Sequence, residues 1–344
     1  MKRVGIRDVA ARAGVGISTV SRVLSGRTDV RPVLRERVLI AAAELGYQPD
    51  ILAQSLRRGA TRSVGFVVDD LSNHLIAEIA TGAESVLRRH GYSLLVMNSE
   101  LNPELDRLNI RVLASRRVDA LMICAVEESH PGTVEALGSH SVPLCIVEGD
   151  QPPEVRASYV HSDHADGIRQ AVDHLVSLGH TRIALLTGPE RHRSVRQRGA
   201  GLAAAARVHP GCSLTWRAID LAAEDGEPTA AALLDGPEPP TAIIVGGARI
   251  LVGVLRALDA RGLRVGEDVA LATTDAQPLA AMFRPPLAAI MRDAHGVGRA
   301  AAELLLARIA DPDREPETIV LPTTYVPRAS ASPVTRGPRA SGRA

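Results

Sequence analysis

The chain has 344 residues, 45% hydrophobic and 23% charged, with 40 Lys and Arg against 39 Asp and Glu, the proportions of a globular protein of two or three domains rather than a disordered one. The apolar run around Ala242–Leu255 is interrupted by Arg249 and no stretch of about 18 apolar residues occurs, which excludes a transmembrane helix, while charges at Lys2, Arg3, Arg7 and Asp8 stand where a secretory signal needs its apolar segment. A cytoplasmic protein without a membrane partner is the expectation.

The balanced total hides an asymmetry. Residues 1–62 hold twelve basic side chains against five acidic ones, a net of +7, which leaves 28 basic and 34 acidic residues in 63–344. Positive charge concentrated at one end can neutralise phosphates and release counterions. The local pattern decides between that role and a merely solubilising arm.

Ile6, Val9, Ala10 and Ala13 fall at i, i+3, i+4, i+7, the spacing of one buried helical face, and Gly14 follows as a stop. A second helix over Ile17 to Leu24 buries Val20, Val23 and Leu24, with Ile17, Ser18, Ser21 and Arg22 on the other face. Small, hydroxylated and basic groups of this kind contact base edges and phosphates. A third helix starts near Pro32, repeats Val38, Ala41, Ala42 and Leu45, and ends at Gly46. Three short helices around one core with a basic outer surface describe a helix-turn-helix domain.

Residues 50–58 form a nine-residue helical pattern between Pro49 and Gly59, too short to be stable alone in water, so they read as a linker that orders against a partner. From 62 to 328, β-rich runs (Val64–Val68, Leu94–Asn98, Ala120–Val126, Leu144–Val147, Ile183–Thr187, Ala242–Val245, Val269–Thr274) alternate with amphipathic stretches near 75–89, 103–115, 165–178, 194–207, 249–261 and 294–309. That alternation predicts parallel sheets covered by helices, and the length allows two such sheets with a ligand cleft beyond the carboxyl ends of their strands. Residues 329–344, aperiodic and rich in Ala, Ser, Pro and Arg, predict a disordered basic tail. No leucine heptad is present there, so a dimer is expected rather than a coiled-coil tetramer.

Cys124, Cys145 and Cys212 are odd in number and widely spaced. They suggest neither a disulfide framework nor a zinc spacing, and read as buried thiols. His161-Ser162-Asp163-His164 holds metal-binding residue types, yet on a strand end positions i and i+3 face opposite sides, so no metal site is assigned. No activated nucleophile, phosphate loop or dinucleotide fingerprint occurs in its required context, so neither an enzyme nor a cofactor is expected.

The run Asp8-Val9-Ala10-Ala11-Arg12-Ala13-Gly14-Val15, then Thr19-Val20-Ser21-Arg22-Val23-Leu24, Arg35-Glu36-Arg37-Val38 and Leu45-Gly46-Tyr47-Gln48-Pro49, resembles the start of LacI/GalR family regulators. The resemblance implies a helix-turn-helix head over 1–48, a hinge helix over 49–61 and a periplasmic-binding-protein-like effector and dimerisation domain over 62–328, made of two parallel-sheet subdomains. Its further landmarks are Val67 to Asn73, His174-Leu175, Leu178-Gly179-His180, Gly188-Pro189, Pro240-Thr241-Ala242 and Arg284 to Leu287.

By the same resemblance, Ile17, Ser18 and Arg22 read bases, Thr19 and Ser21 hold phosphates, Ala53 lets two hinge helices approach, and Leu56 wedges into the minor groove. Ile6, Gln54 and Arg57 complete the DNA-contacting set. Gly16, Ser25 and Asp50 replace the family's serine, asparagine and asparagine; glycine is still an acceptable N-cap. The partners implied are double-stranded operator DNA, a small-molecule effector and a second copy of the chain, and the function implied is an effector-responsive repressor. A solute-binding protein without a DNA role is the alternative, opposed by the basic head.

In the effector pocket the resemblance assigns Arg198, Asp275 and Asn73 as cationic, acidic and amide contacts suited to polyhydroxylated ligands. Leu75 and Ile76 stand where sugar-binding relatives place aromatic rings, Glu148 replaces a frequent aspartate, and Arg292 replaces a glutamine. Asp163, His192 and Ser194 are further candidates. Gaining Arg292 while losing stacking platforms points to an anionic or smaller polar effector, such as a sugar acid or phosphorylated metabolite, ahead of a neutral pyranose.

Overall fold

The computed structural model describes residues 4–24, 29–47, 60–139, 141–219, 226–274 and 278–334. The chain divides into two compact units, Met1–Thr61 and Arg62–Ala344.

In the first unit, α1 spans Ile6–Ala13, α2 Ile17–Leu24 and α3 Pro32–Glu44. Asp8 opens α1 by accepting from the Gly5 N–H at 2.7 Å, and Gly14 closes it in the left-handed region at φ 62°, where the absence of a Cβ removes the steric cost. Arg37 Nη2 donates to the Ala13 carbonyl at 2.6 Å, tying α3 to the end of α1. Val9, Val20 and Val38, one from each helix, are fully buried, with Ala10, Ala13, Val23, Ala41 and Ala42 around them and Ile6, Leu24 and Leu45 at the margin.

The second unit holds two six-stranded sheets. The strands are β1 (Ser63–Val68), β2 (Ser93–Asn98), β3 (Ala120–Cys124), β4 (Leu144–Val147), β5 (Ser158–Ser162), β6 (Arg182–Thr187), β7 (Ser213–Ala218), β8 (Ala242–Gly246), β9 (Ala270–Thr273), β10 (Ala288–Arg292), β11 (Thr318–Leu321) and β12 (Thr323–Val326). The first sheet has the order β11-β5-β4-β3-β1-β2 and the second β12-β10-β9-β8-β6-β7. All pairings are parallel except β10 with β12. The covering helices are α4 (His74–Arg89), α5 (Pro103–Ser115), α6 (Pro131–Gly138), α7 (His164–Ser177), α8 (Arg193–Val208), α9 (Glu227–Leu234), α10 (Ala248–Asp259), α11 (Pro278–Met282) and α12 (Ala294–Ala310).

The chain passes between the lobes three times, at 162–164, 292–294 and 321–323, so neither lobe is continuous in sequence. Central strands are apolar along their whole length because helices cover both faces: every residue of β3, β4 and β8 is buried. The second crossover carries α12 back onto α4, and the two backbones meet closely. A Cβ on Gly82 would lie 2.0 Å from the His295 carbonyl oxygen, and one on Gly298 1.9 Å from that of Ile79.

Strands β5, β7, β10, β11 and β12 and helices α6, α9 and α11 are absent from the runs legible in the sequence. β7 is an edge strand with exposed ends, and β11 and β12 are four residues each, separated only by Pro322. None of them offers a long periodic signal.

The expected tail begins too early at 329. Ser330 is fully buried, accepting from the Ala288 N–H at 2.7 Å and donating to the Leu271 carbonyl at 2.6 Å. The Ser332 carbonyl accepts from His180 Nε2 at 2.9 Å, and Val334 N–H reaches the Leu178 carbonyl at 3.3 Å. Polar side chains that complete backbone bonding, rather than apolar periodicity, hold 329–334 onto the second sheet. Residues 335–344 lie outside the described set.

Candidate functional site

On the head, burial of Val20 and Val23 turns the opposite face of α2 outward. Ile17 is 46% exposed, Ser18 and Arg22 are exposed, and Thr19 and Ser21 are half-buried. Gly16 accepts from the Thr19 and Val20 N–H groups at 2.9 and 3.2 Å, starting the helix without a side-chain cap. An exposed isoleucine beside hydroxyl and guanidinium groups can read a base edge while its neighbours grip phosphates. Ile6 is half-buried and packs against the head's core. Ser25, Asp50, Ala53, Gln54, Leu56 and Arg57 lie outside the described residues.

In the second unit, a cavity of about 340 Å³ opens between the lobes at the carboxyl ends of both sheets. One wall is Asp69, Asp70, Ser72, Asn73, His74, Leu75 and Leu101; the other is Gly188, Pro189, His192, Ser194, Val195, Arg198, Gly246 to Ile250 and Arg292. A deeper chamber of about 90 Å³ adjoins it, sharing Asp69, Asn73, Leu75, His192, Ser194 and Arg292 and adding Ile76, Cys124, Glu128, Glu148 and Arg193 among others. No Phe, Tyr or Trp is among the described lining residues.

The structure thus brings together Asn73, Leu75, Ile76, Glu148, His192, Ser194, Arg198 and Arg292. Asn73 also caps α4, accepting from Leu75 N–H at 3.1 Å. Arg198 is 5% exposed, its guanidinium close under Gly246. Asp163 does not join them: it lines neither chamber, and its carboxylate caps α7 by accepting from Asp166 N–H at 3.0 Å. A helix N-terminus directly after a crossover needs that acceptor. Asp275 lies outside the described residues.

Glu148 is the centre of the buried polar floor. Ser162 Oγ donates to it at 2.6 Å, His164 Nε2 lies at 2.9 Å, and Arg292 Nη1 at 3.6 Å. Burial pushes the Glu148 carboxyl up, but His164, Arg292 and Ser162 outweigh it and hold the carboxyl well below the usual range. Burial pushes His164 down to about 4 against the pull of Glu148. Arg292 thus already faces a carboxylate of the chain itself.

Sequence reading missed Asp69, Glu128 and Arg193. Burial raises Asp69 to about 6 and Glu128 to about 7. Burial also lowers His192 to about 4, helped by Arg191, Arg196 and Arg198. Arg193 Nη1 is buried without a hydrogen-bond partner among the described residues. The available signal was positional, since Asp69 follows β1 and Glu128 stands just beyond β3, where ligand-facing groups of a parallel sheet collect. Across both chambers Asp69, Asp70, Glu128 and Glu148 stand against Arg193, Arg198, Arg249 and Arg292, so acids and arginines are matched in number.

Residues 5–50 match the model of bacterial regulatory proteins of the lacI family, and 172–331 match a periplasmic binding protein-like domain. The chain is 30% identical over 334 residues to the HTH-type transcriptional repressor PurR of Aliivibrio fischeri strain ES114, covering 95% of this chain and 98% of that one. It is 30% identical over 331 residues to the ribose operon repressor of Escherichia coli K12, covering 95% and 99%. Among solved structures, a lac repressor dimer bound to operator and the anti-inducer ONPF superposes with a TM-score of 0.84 at 29% identity, covering 96% of this chain and all of that one. A transcriptional regulator CelR in complex with cellobiose gives 0.70 at 30% identity, covering 95% and 100%. The chain belongs to the LacI family of bacterial regulatory proteins.

Proposed function

We propose that this protein is a repressor that binds a near-palindromic operator as a homodimer and responds to a small polyhydroxylated effector in the inter-lobe cavity. The outward face of α2 carries the reading: Ile17, Ser18 and Arg22 are exposed on a unit whose core is formed by their helical neighbours. The relatives named as repressors support repression over activation. Two heads on a two-fold axis would read two half-sites about one helical turn apart or a multiple of it.

The cavity supports the effector class. A volume of about 340 Å³ suits a monosaccharide-sized molecule. Acids and arginines side by side suit hydroxyls, each of which both donates and accepts. The lack of aromatic rings among the described lining residues disfavours a stacked planar base. Binding there would shift the relation of the lobes and through it the hinge segments of the dimer.

The test is to select operator from a random duplex pool with the full-length protein. Thermal stability is then measured with neutral sugars, sugar acids, sugar phosphates and purines, and each stabilising compound is added to the operator complex. A neutral sugar that raises the melting temperature and changes operator affinity supports the proposal. Stabilisation only by phosphates or purines would overturn the effector class, and no enriched sequence would overturn the DNA role.

A further inference from the structure

We propose that Asp150 and Arg196 form a clasp between the lobes that positions the effector wall His192-Arg193-Ser194. Asp150 stands in the loop from β4 to β5, in the first lobe, and Arg196 on α8, in the second. Arg196 Nη2 lies 2.5 Å from Asp150 Oδ1. The other terminal nitrogen, Nη1, donates to the Glu190 and Arg191 carbonyls, both at 2.7 Å. One guanidinium thus fastens the loop that leads into α8 and ties that loop to the opposite lobe. Its planar fork of donors suits this double task, which an ammonium on a flexible stem would not meet.

Both ends of the pair lead into the cavity. Asp150 N–H donates to Glu128 Oε2 at 3.3 Å, and Glu128 lines the inner chamber. Gly149 lets the loop pass directly over that carboxyl, since a Cβ there would lie 2.2 Å from Glu128 Oε1. At the other end the fastened loop delivers His192, Arg193 and Ser194 to the chamber, and the buried Arg193 Nη1 lacks an acceptor among the described residues. An oxygen of the effector is the acceptor this position suits. Side chains of the pair are 41% and 26% exposed, so the clasp is weak enough for a ligand to override and is screened by salt. Arg196 and Asp150 act through their neighbours and are positioning residues.

The test is hydrogen exchange by mass spectrometry on the full-length protein, D150N, R196Q and the double variant, without effector, at low and high ionic strength. Each single variant is expected to speed exchange in 189–197 by about two- to five-fold, the range an exposed ion pair supports. The double variant should add nothing further, and the wild type alone should lose protection as salt rises. D150N decides the matter if R196Q fails to fold, because it removes the charge and leaves both carbonyl contacts in place. Wild-type exchange and salt dependence in D150N would overturn the proposal, showing that Arg196 serves only its own loop; additive single effects would overturn it as well.

Discussion

Arg292 Nη1 stands 3.6 Å from Glu148 Oε1, with only 12% and 10% of the two side chains exposed. Arg292 ends β10 at one crossover, His164 opens α7 at another, and both meet a carboxylate placed by β4. Two of the three passages between the lobes are therefore joined by one buried polar cluster that also lines the inner chamber. Such a cluster is costly to break from one side, because the surviving charge stays buried.

Replacing Glu148 by Gln should consequently destabilise the protein by about 3 kcal/mol, the scale for stripping one partner from a buried ion pair. Urea unfolding of E148Q beside the wild type checks this, and a variant as stable as the wild type would contradict it.

Glu128 gives a pH dependence of definite sign. Its folded value of about 7 exceeds the ordinary glutamate value of 4.5, because burial penalises the charged form. The folded state thus holds the proton more tightly, and this group's contribution is complete below about 4.5 and lost as pH rises through about 7. Glu128→Gln, which has no charge to bury, should be more stable than wild type well above pH 7 by about 3 kcal/mol. That advantage should vanish below pH 4.5. Melting curves at both ends of the range test it, and a pH-independent difference would contradict the cause given.

Close approach of α4 and α12 predicts intolerance to a single methyl group. Gly298→Ala places a Cβ against the Ile79 carbonyl oxygen, and backbone cannot retreat as a flexible side chain can. A loss of about 2 kcal/mol or more is expected, despite alanine's better helix propensity. Denaturant midpoints measure it, and a gain in stability would mean that the two helices pack less closely than described.

The head was legible nearly residue by residue, because three short helices with period-3.6 burial and glycine stops leave few alternatives. Val20 and Val23 turned inward as their spacing required, and that alone fixed which side of α2 faces out. The alternation of the larger unit was also legible where strands are central and wholly apolar, as in β3 and β8. Edge strands and four-residue strands were not, since their pairing partners are distant in sequence. In the cleft, Arg198, Asn73 and Arg292 were reached by resemblance, but the groups that each of them faces were not legible. A side chain's charge can be read in sequence, whereas the carboxylate of Glu148, 144 positions away from Arg292, can be found beside it only in three dimensions.

The central claim, that the outward face of α2 reads DNA, is tested most directly by operator selection with wild type and Arg22→Ala side by side, each shown by melting to be folded. Arg22 is exposed, so its removal should leave stability within about 0.5 kcal/mol. Wild type should enrich a near-palindromic site, and R22A should lose preference at one position in each half-site while binding more weakly by about 1–3 kcal/mol. An R22A selection identical to wild type, or no enrichment by the wild type, would contradict the account.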